Sequence, residues 1–278
     1  MNLQNIFNEI EKADPEVYER LDGRRSAVKS LASFTGKVAL SAAPIAFGSL
    51  FKKAYGQSVS PQIIEVLNFA LTLEYLEAEY YARGLAAPGL IPVGPGRAAI
   101  ETIGRHEAEH VSFLMTTISS LGGMPVKKPA FDFTAHGTFP DVFTNYELFL
   151  AGAQVFEDTG VRAYKGQAGN LISSNEILRA ALRIHSVEAR HASHVREMRI
   201  QSFGAPVKPW ITLKKSGIGG AGGPAVQPSY DGEELVVQAG INLVGINGSN
   251  ISAEAASEAF DEPLTKAQVL AIVTPFLA

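Results

Sequence analysis

The chain has 278 residues, enough to bury a sizeable core as one large domain or two small ones. Its 46% hydrophobic and 19% charged residues are ordinary for a globular protein. A formal net charge of −4, with no basic stripe interleaved with aromatics, excludes a general pull towards nucleic acid. Cysteine is absent, which excludes disulfides, thiolate metal sites and cysteine nucleophiles, so a bound metal would rest on oxygen and imidazole. Those donors suit iron, manganese or zinc rather than Cu(I).

In chain order, Leu3, Ile6, Phe7 and Ile10 predict a short amphipathic helix within a polar leader. The paired Arg24-Arg25, Lys29 and a weakly apolar run from Val38 to Phe51 resemble a twin-arginine export signal. Residues 1–56 are therefore expected to form an N-terminal segment of an exported or periplasmic protein. The alternative is a cytoplasmic chain in which this segment packs as a helix on the rest. Lys37 and Pro44 break the run too often for a stable membrane span.

From Ser60-Pro61, an N-cap followed by a first-turn proline, helical periodicity predicts a helix over 62–85. A Gly/Pro loop leads to a second helix over 97–121, closed by Gly122-Gly123. An irregular connection rich in Pro, Phe and Gly follows, to about Pro140. The third helix is expected over 141–167, and Ser174 with Glu176 opens a fourth that runs to about Ser202. Two helical hairpins joined by a long crossover define an all-α four-helix bundle over 57–203. Residues 204–278 form a C-terminal extension. Its Gly-rich stretch around Gly217–Gly223 is irregular, and 234–251 is expected to contribute extended structure. Short helices follow behind Ser252 and Thr265. This extension is read as a wrap on the bundle or a contact within a homo-oligomer.

Chemistry concentrates in a repeat. Glu74 precedes Tyr81 by seven residues on the first helix, and Glu157 precedes Tyr164 by seven on the third. The second and fourth helices each carry Glu-x-x-His, as Glu107 with His110 and Glu188 with His191. The interval from first to second Glu is 33 residues in one half and 31 in the other. Positions i and i+3 share a helix face, so each pair can aim a carboxylate and an imidazole at one point in the interior. Four carboxylates in a dry core need compensation, because unpaired buried charge is very unfavourable. Two divalent cations would supply it, and four Glu with two His is the ligand set of di-iron and di-manganese bundles.

Glu77, three residues after Glu74, also borders the interior and is a neighbouring or substitute ligand. Tyr81 and Tyr164 are expected to donate hydrogen bonds to ligand carboxylates. By helical phase, His106, His185 and His194 fall off the central line, at the surface or behind the ligands. The competing structural reading pairs the carboxylates with Arg105, Arg162 or Arg190.

At these residues the chain resembles the ferritin-like superfamily. Leu73–Tyr81 and Phe156–Tyr164, with Glu258–Leu264 near the C-terminus, are similar to segments of its desiccation-related members. The resemblance implies a ferritin-like bundle with two iron or manganese ions held by Glu74, Glu107, His110, Glu157, Glu188 and His191. It does not imply one reaction, since superfamily members oxidise Fe(II), reduce or disproportionate peroxide, or hydroxylate substrates. The leading expectation is redox handling of Fe(II), dioxygen or peroxide in stress protection, as a ferroxidase, a peroxidase or a manganese catalase. The non-catalytic alternative is a metal-stabilised scaffold or desiccation protectant.

Overall fold

A computed structural model of the chain describes residues 60–220 and 222–278. The expected leader helix and export signal lie outside the described residues. Four long helices follow the predicted order: α1 (Pro61–Ala86), α2 (Pro95–Ser120), α3 (Tyr146–Ala168) and α4 (Asn175–Phe203). α1 and α2 each begin with a proline in the first turn, where the missing N–H leaves no helical bond unmade.

The third helix starts five residues later than periodicity suggests. The Asn145 side chain caps it, accepting the N–H of Leu148 at 3.0 Å. Just before it, the Asp141 carbonyl accepts from the amides of Thr144 and Asn145, closing a turn that diverts the backbone from helix.

α1 packs along α2, and α3 along α4, as two hairpins, with α1 facing α3 across the centre and α2 meeting α4 at few points. Leu71, Ile100, Leu114, Ile118, Phe149 and Leu150 fill the core. Each such side chain contributes about 1.5–3 kcal/mol of transfer free energy on burial. Tyr80 stacks on Phe149 at 4.9 Å and donates its hydroxyl to the Phe149 carbonyl at 2.7 Å, tying the hairpins together.

The extension holds a short helix α5 (Gly222–Val226), a minimal antiparallel hairpin of β1 (Val237–Gln238) and β2 (Ile241–Asn242), then α6 (Ala253–Ser257) and α7 (Lys266–Val273). The extended structure expected over 234–251 shrinks to this hairpin. Val237 and Ile241 stay exposed, so the strands have no apolar face to bury. Ser252 caps α6, and Thr265 with Gln268 forms a capping box on α7, as the sequence signals predicted.

The extension lies against α3. Leu264 N–H donates to the Arg162 carbonyl at 3.1 Å, and Phe276 meets Phe156 edge to face at 5.0 Å. The final residue pairs with the crossover, Ala278 N–H to Ala130 O at 3.0 Å. Among the described residues no helix is long and apolar enough to cross a membrane.

Candidate metal centre

All four helices deliver side chains to one point between the hairpins. α1 supplies Glu74 and Glu77, α2 Glu107 and His110, α3 Glu157, and α4 Glu188 and His191. Glu74, Glu107, Glu157 and Glu188 have no exposed surface, and His191 is buried. The structure thus brings together all six residues singled out by the repeat, with Glu77 beside them.

They form two overlapping groups, Glu74, Glu107, His110 and Glu188, and Glu107, Glu157, Glu188 and His191. Within each group one donor atom per residue lies within 4.8 Å of every other, and Glu107 and Glu188 belong to both. His110 Nδ1 is 3.0 Å from Glu107 Oε2, 3.1 Å from Glu74 Oε2 and 3.2 Å from Glu188 Oε1. His191 Nδ1 lies 2.7 Å from Glu107 Oε1 and 3.3 Å from Glu157 Oε2. Close as these last contacts are, His191 Nδ1, Glu107 Oε1, Glu157 Oε2 and both Glu188 oxygens lack hydrogen-bond geometry to any partner. Donor atoms that crowd one another without being aligned as hydrogen bonds are aimed at a shared point, as ligands of a cation are. Buried polar atoms left unsatisfied in this way call for an explanation, and an ion is one.

The structural ion-pair alternative is not what the chain does. Among the described residues, no lysine or arginine pairs with Glu74, Glu77, Glu107, Glu157 or Glu188. Arg105 instead meets Glu109 at 3.8 Å, and Arg162 meets Glu233 at 2.6 Å.

The electrostatics agree with a site built for cations. Burial, reinforced by Glu188, pushes Glu107 up to about 7. Burial with Glu74 and Glu157 pushes Glu188 up to about 8. Glu77 is driven well above the carboxylate range by burial and then by Glu188 and Glu157. Burial would also raise Glu74, but the adjacent His110 outweighs it and the net direction is down. Burial opposes charge on both imidazoles, yet the facing carboxylates win: His110 is raised strongly, chiefly by Glu74, and His191 to about 10, chiefly by Glu157. Protons on these imidazoles and carboxylates do the neutralising that metal ions would do.

The two tyrosines connect the halves crosswise. Tyr81 of α1 donates to Glu157 Oε1 of α3 at 2.5 Å, and Tyr164 of α3 donates to Glu74 Oε1 of α1. Burial and the neighbouring carboxylates keep both phenols protonated, so they remain donors.

His106, placed off the central line by phase, sits directly behind a ligand candidate: its Nδ1 is 3.0 Å from His191 Nε2 and the rings stack at 5.2 Å. His194 is exposed, and His185 is partly buried elsewhere on α4. An open cleft of about 1270 Å³ runs between α2 and α4, past His106, Val187 and His194, and reaches His110 and His191. Sequence reasoning missed the cleft. It arises because α2 and α4 touch so little, which helical phase does not encode.

Four helices in this topology, with buried carboxylates and imidazoles able to hold metal, define a metal-carboxylate bundle. The model of the ferritin-like domain matches residues 62–201, half of the chain, and the chain belongs to that family. No curated protein matches it.

Proposed function

We propose that this protein is a redox-active dinuclear metal protein that handles Fe(II), dioxygen or peroxide in stress protection. The observation that carries the reading is the pair of overlapping donor groups sharing Glu107 and Glu188, with buried oxygens aimed at common points. Glu74 and His110 would serve one metal, Glu157 and His191 the other, and the two shared carboxylates both. Iron or manganese bound there would supply one-electron redox chemistry at two adjacent centres that can act on one O–O bond. Tyr81 and Tyr164 hold the carboxylates of Glu157 and Glu74 in orientation, and buried aliphatic side chains such as Leu114 keep the interior side apolar.

Access favours chemistry over a purely structural ion. The α2–α4 cleft reaches both histidines, so a small oxidant or an incoming ion has a path to the centre. The scaffold reading draws on a different fact: four protein donors per group can saturate a small ion.

Elemental analysis of protein purified without added metal, beside Glu107→Ala, tests the proposal. Two iron or manganese ions per chain are expected, with both positions weakened in the variant because Glu107 serves both. Oxygen and peroxide turnover by the loaded protein then separates enzyme from scaffold. A wild-type chain that takes up neither Fe(II) nor Mn(II) would sink the reading.

A further inference from the structure

The internal two-fold that relates the hairpins is broken at two places beside the centre. Glu74 corresponds to Glu157 and His110 to His191, so by the same offsets Glu77 corresponds to Gly160, and His106 to Val187. At Gly160 the missing side chain is occupied space. A Cβ there would lie 3.1 Å from Glu77 Oε1 and 3.0 Å from Glu188 Oε2, so the glycine admits the Glu77 carboxylate from α1 to the surface of α3. It arrives one turn from Glu157, and on its own helix it stands one turn from Glu74.

At the second break, His191 turns Nδ1 towards Glu107 and Glu157, which leaves Nε2 to carry its hydrogen to His106 Nδ1 at 3.0 Å. An imidazole that ligates through one nitrogen is oriented by the partner of the other. Val187, in the corresponding place, offers His110 no such partner. The second break favours the half of Glu157 and His191.

We propose that the two metal positions are unequal, and that the one at Glu157 and His191, supported by His106, fills first and holds its ion more tightly. This rests on the dinuclear reading above and adds an order of filling to it. His106 is a positioning residue, acting through His191, whereas Glu77 reaches the same α3 surface as Glu188, which both donor groups share. Outer partners of this kind change metal affinity by about tenfold to a hundredfold.

The test is titration of the metal-free full chain with Mn(II), followed by calorimetry and electron paramagnetic resonance. The wild type should bind in two steps about tenfold or more apart, the first giving the signal of an isolated ion and the second quenching it as the pair couples. His106→Val, which copies the residue in the other half, should weaken the first step by about tenfold or more and leave the second in place. His106→Gln, whose amide oxygen can still accept from His191, should keep the two steps apart. Glu77→Gln, beside the shared Glu188, should leave the two steps apart. His106 is only partly buried, so its variants keep the fold, and thermal unfolding of the metal-free proteins verifies this. Two ions bound in one unresolved step, or a gap unmoved in His106→Val, overturn this proposal alone. No Mn(II) uptake by the wild type overturns the dinuclear reading, and this one with it.

Discussion

Glu157 and Glu74 are each held by a phenol from the opposite hairpin, so the smallest useful perturbation is one oxygen atom. Tyr81→Phe removes the donor to Glu157 Oε1, and Tyr164→Phe removes the donor to Glu74 Oε1. Both rings are buried and the substitution keeps their volume, so packing is retained. The affected carboxylate loses its fixed orientation, and the affinity of one metal should fall by about tenfold to a hundredfold with two ions still bound at saturation. Competition with a coloured chelator measures this. Loss of both ions in either single variant would mean that the tyrosines hold the whole centre rather than one side of it. The Glu-to-Tyr spacing of seven was readable in the sequence, and so was a tyrosine–carboxylate bond. What it could not supply was the crossing, since spacing within a helix is silent on which neighbour the hydroxyl reaches.

At the scale of elements, α3 shows most clearly what periodicity hides. Leu150, Val155, Phe156 and Val161 leave it no wet face, and a second stripe of Gln154, Asp158 and Arg162 is buried too. Arg196 of α4 clamps Asp158 through Nε at 3.1 Å and Nη2 at 2.5 Å, and Tyr230 of the extension donates to the same carboxylate at 2.8 Å. Arg162 donates to the carbonyls of Ser229 at 2.6 Å, Glu262 at 2.8 Å and Asp231 at 2.9 Å, and pairs with buried Glu233 at 2.6 Å. The extension is therefore fastened to α3 by polar groups that lie far apart in sequence, which is why the sequence left it between a wrap and an oligomer contact. The legible hint was a helix with apolar residues on every side, which some other segment must cover. Close approach sets a second requirement: a Cβ on Gly166 would fall 1.9 Å from the Leu264 carbonyl oxygen, so only glycine lets this backbone lie on α3. Arg162→Ala strands Glu233, whose carboxyl burial already raises to about 7 against the pull of the arginine. Breaking such a buried pair should lower stability by about 3–5 kcal/mol. Urea unfolding measures that loss, and amide hydrogen exchange at Leu264 should accelerate as the extension loosens. An unchanged midpoint would show that the apolar contacts of Phe276 hold the extension without the arginine.

For the whole molecule, the four helices and their pairing were legible because apolar periodicity, first-turn prolines and a repeated Glu/Glu-x-x-His pattern all specify one bundle. The cleft and the proton balance were not, since both depend on how closely helices approach. That balance makes metal and protons competitors and gives the metal-free protein an inverted pH response. Glu107 and Glu188 are held at about 7 and about 8 in the folded chain, against about 4.3 for a glutamate in an unfolded one. Between those values the folded state binds more protons, so stability falls as pH rises. His191 runs the same way. Raised to about 10 from about 6.5, it contributes fully below its unfolded value and loses that contribution as pH climbs towards 10. Glu74 has the opposite shift, but its contribution is complete once pH exceeds about 4.3 and is constant above. The Tm of metal-free protein should therefore fall from about pH 5.5 to about pH 8.5. Metal binds the deprotonated ligands, so its affinity rises over the same interval and the loaded protein gains stability relative to the metal-free one. Differential scanning calorimetry with and without Mn(II) should show the two Tm curves diverging as pH increases. Parallel curves would mean that these carboxylates and imidazoles give up no protons to the ion, and would remove them from its coordination.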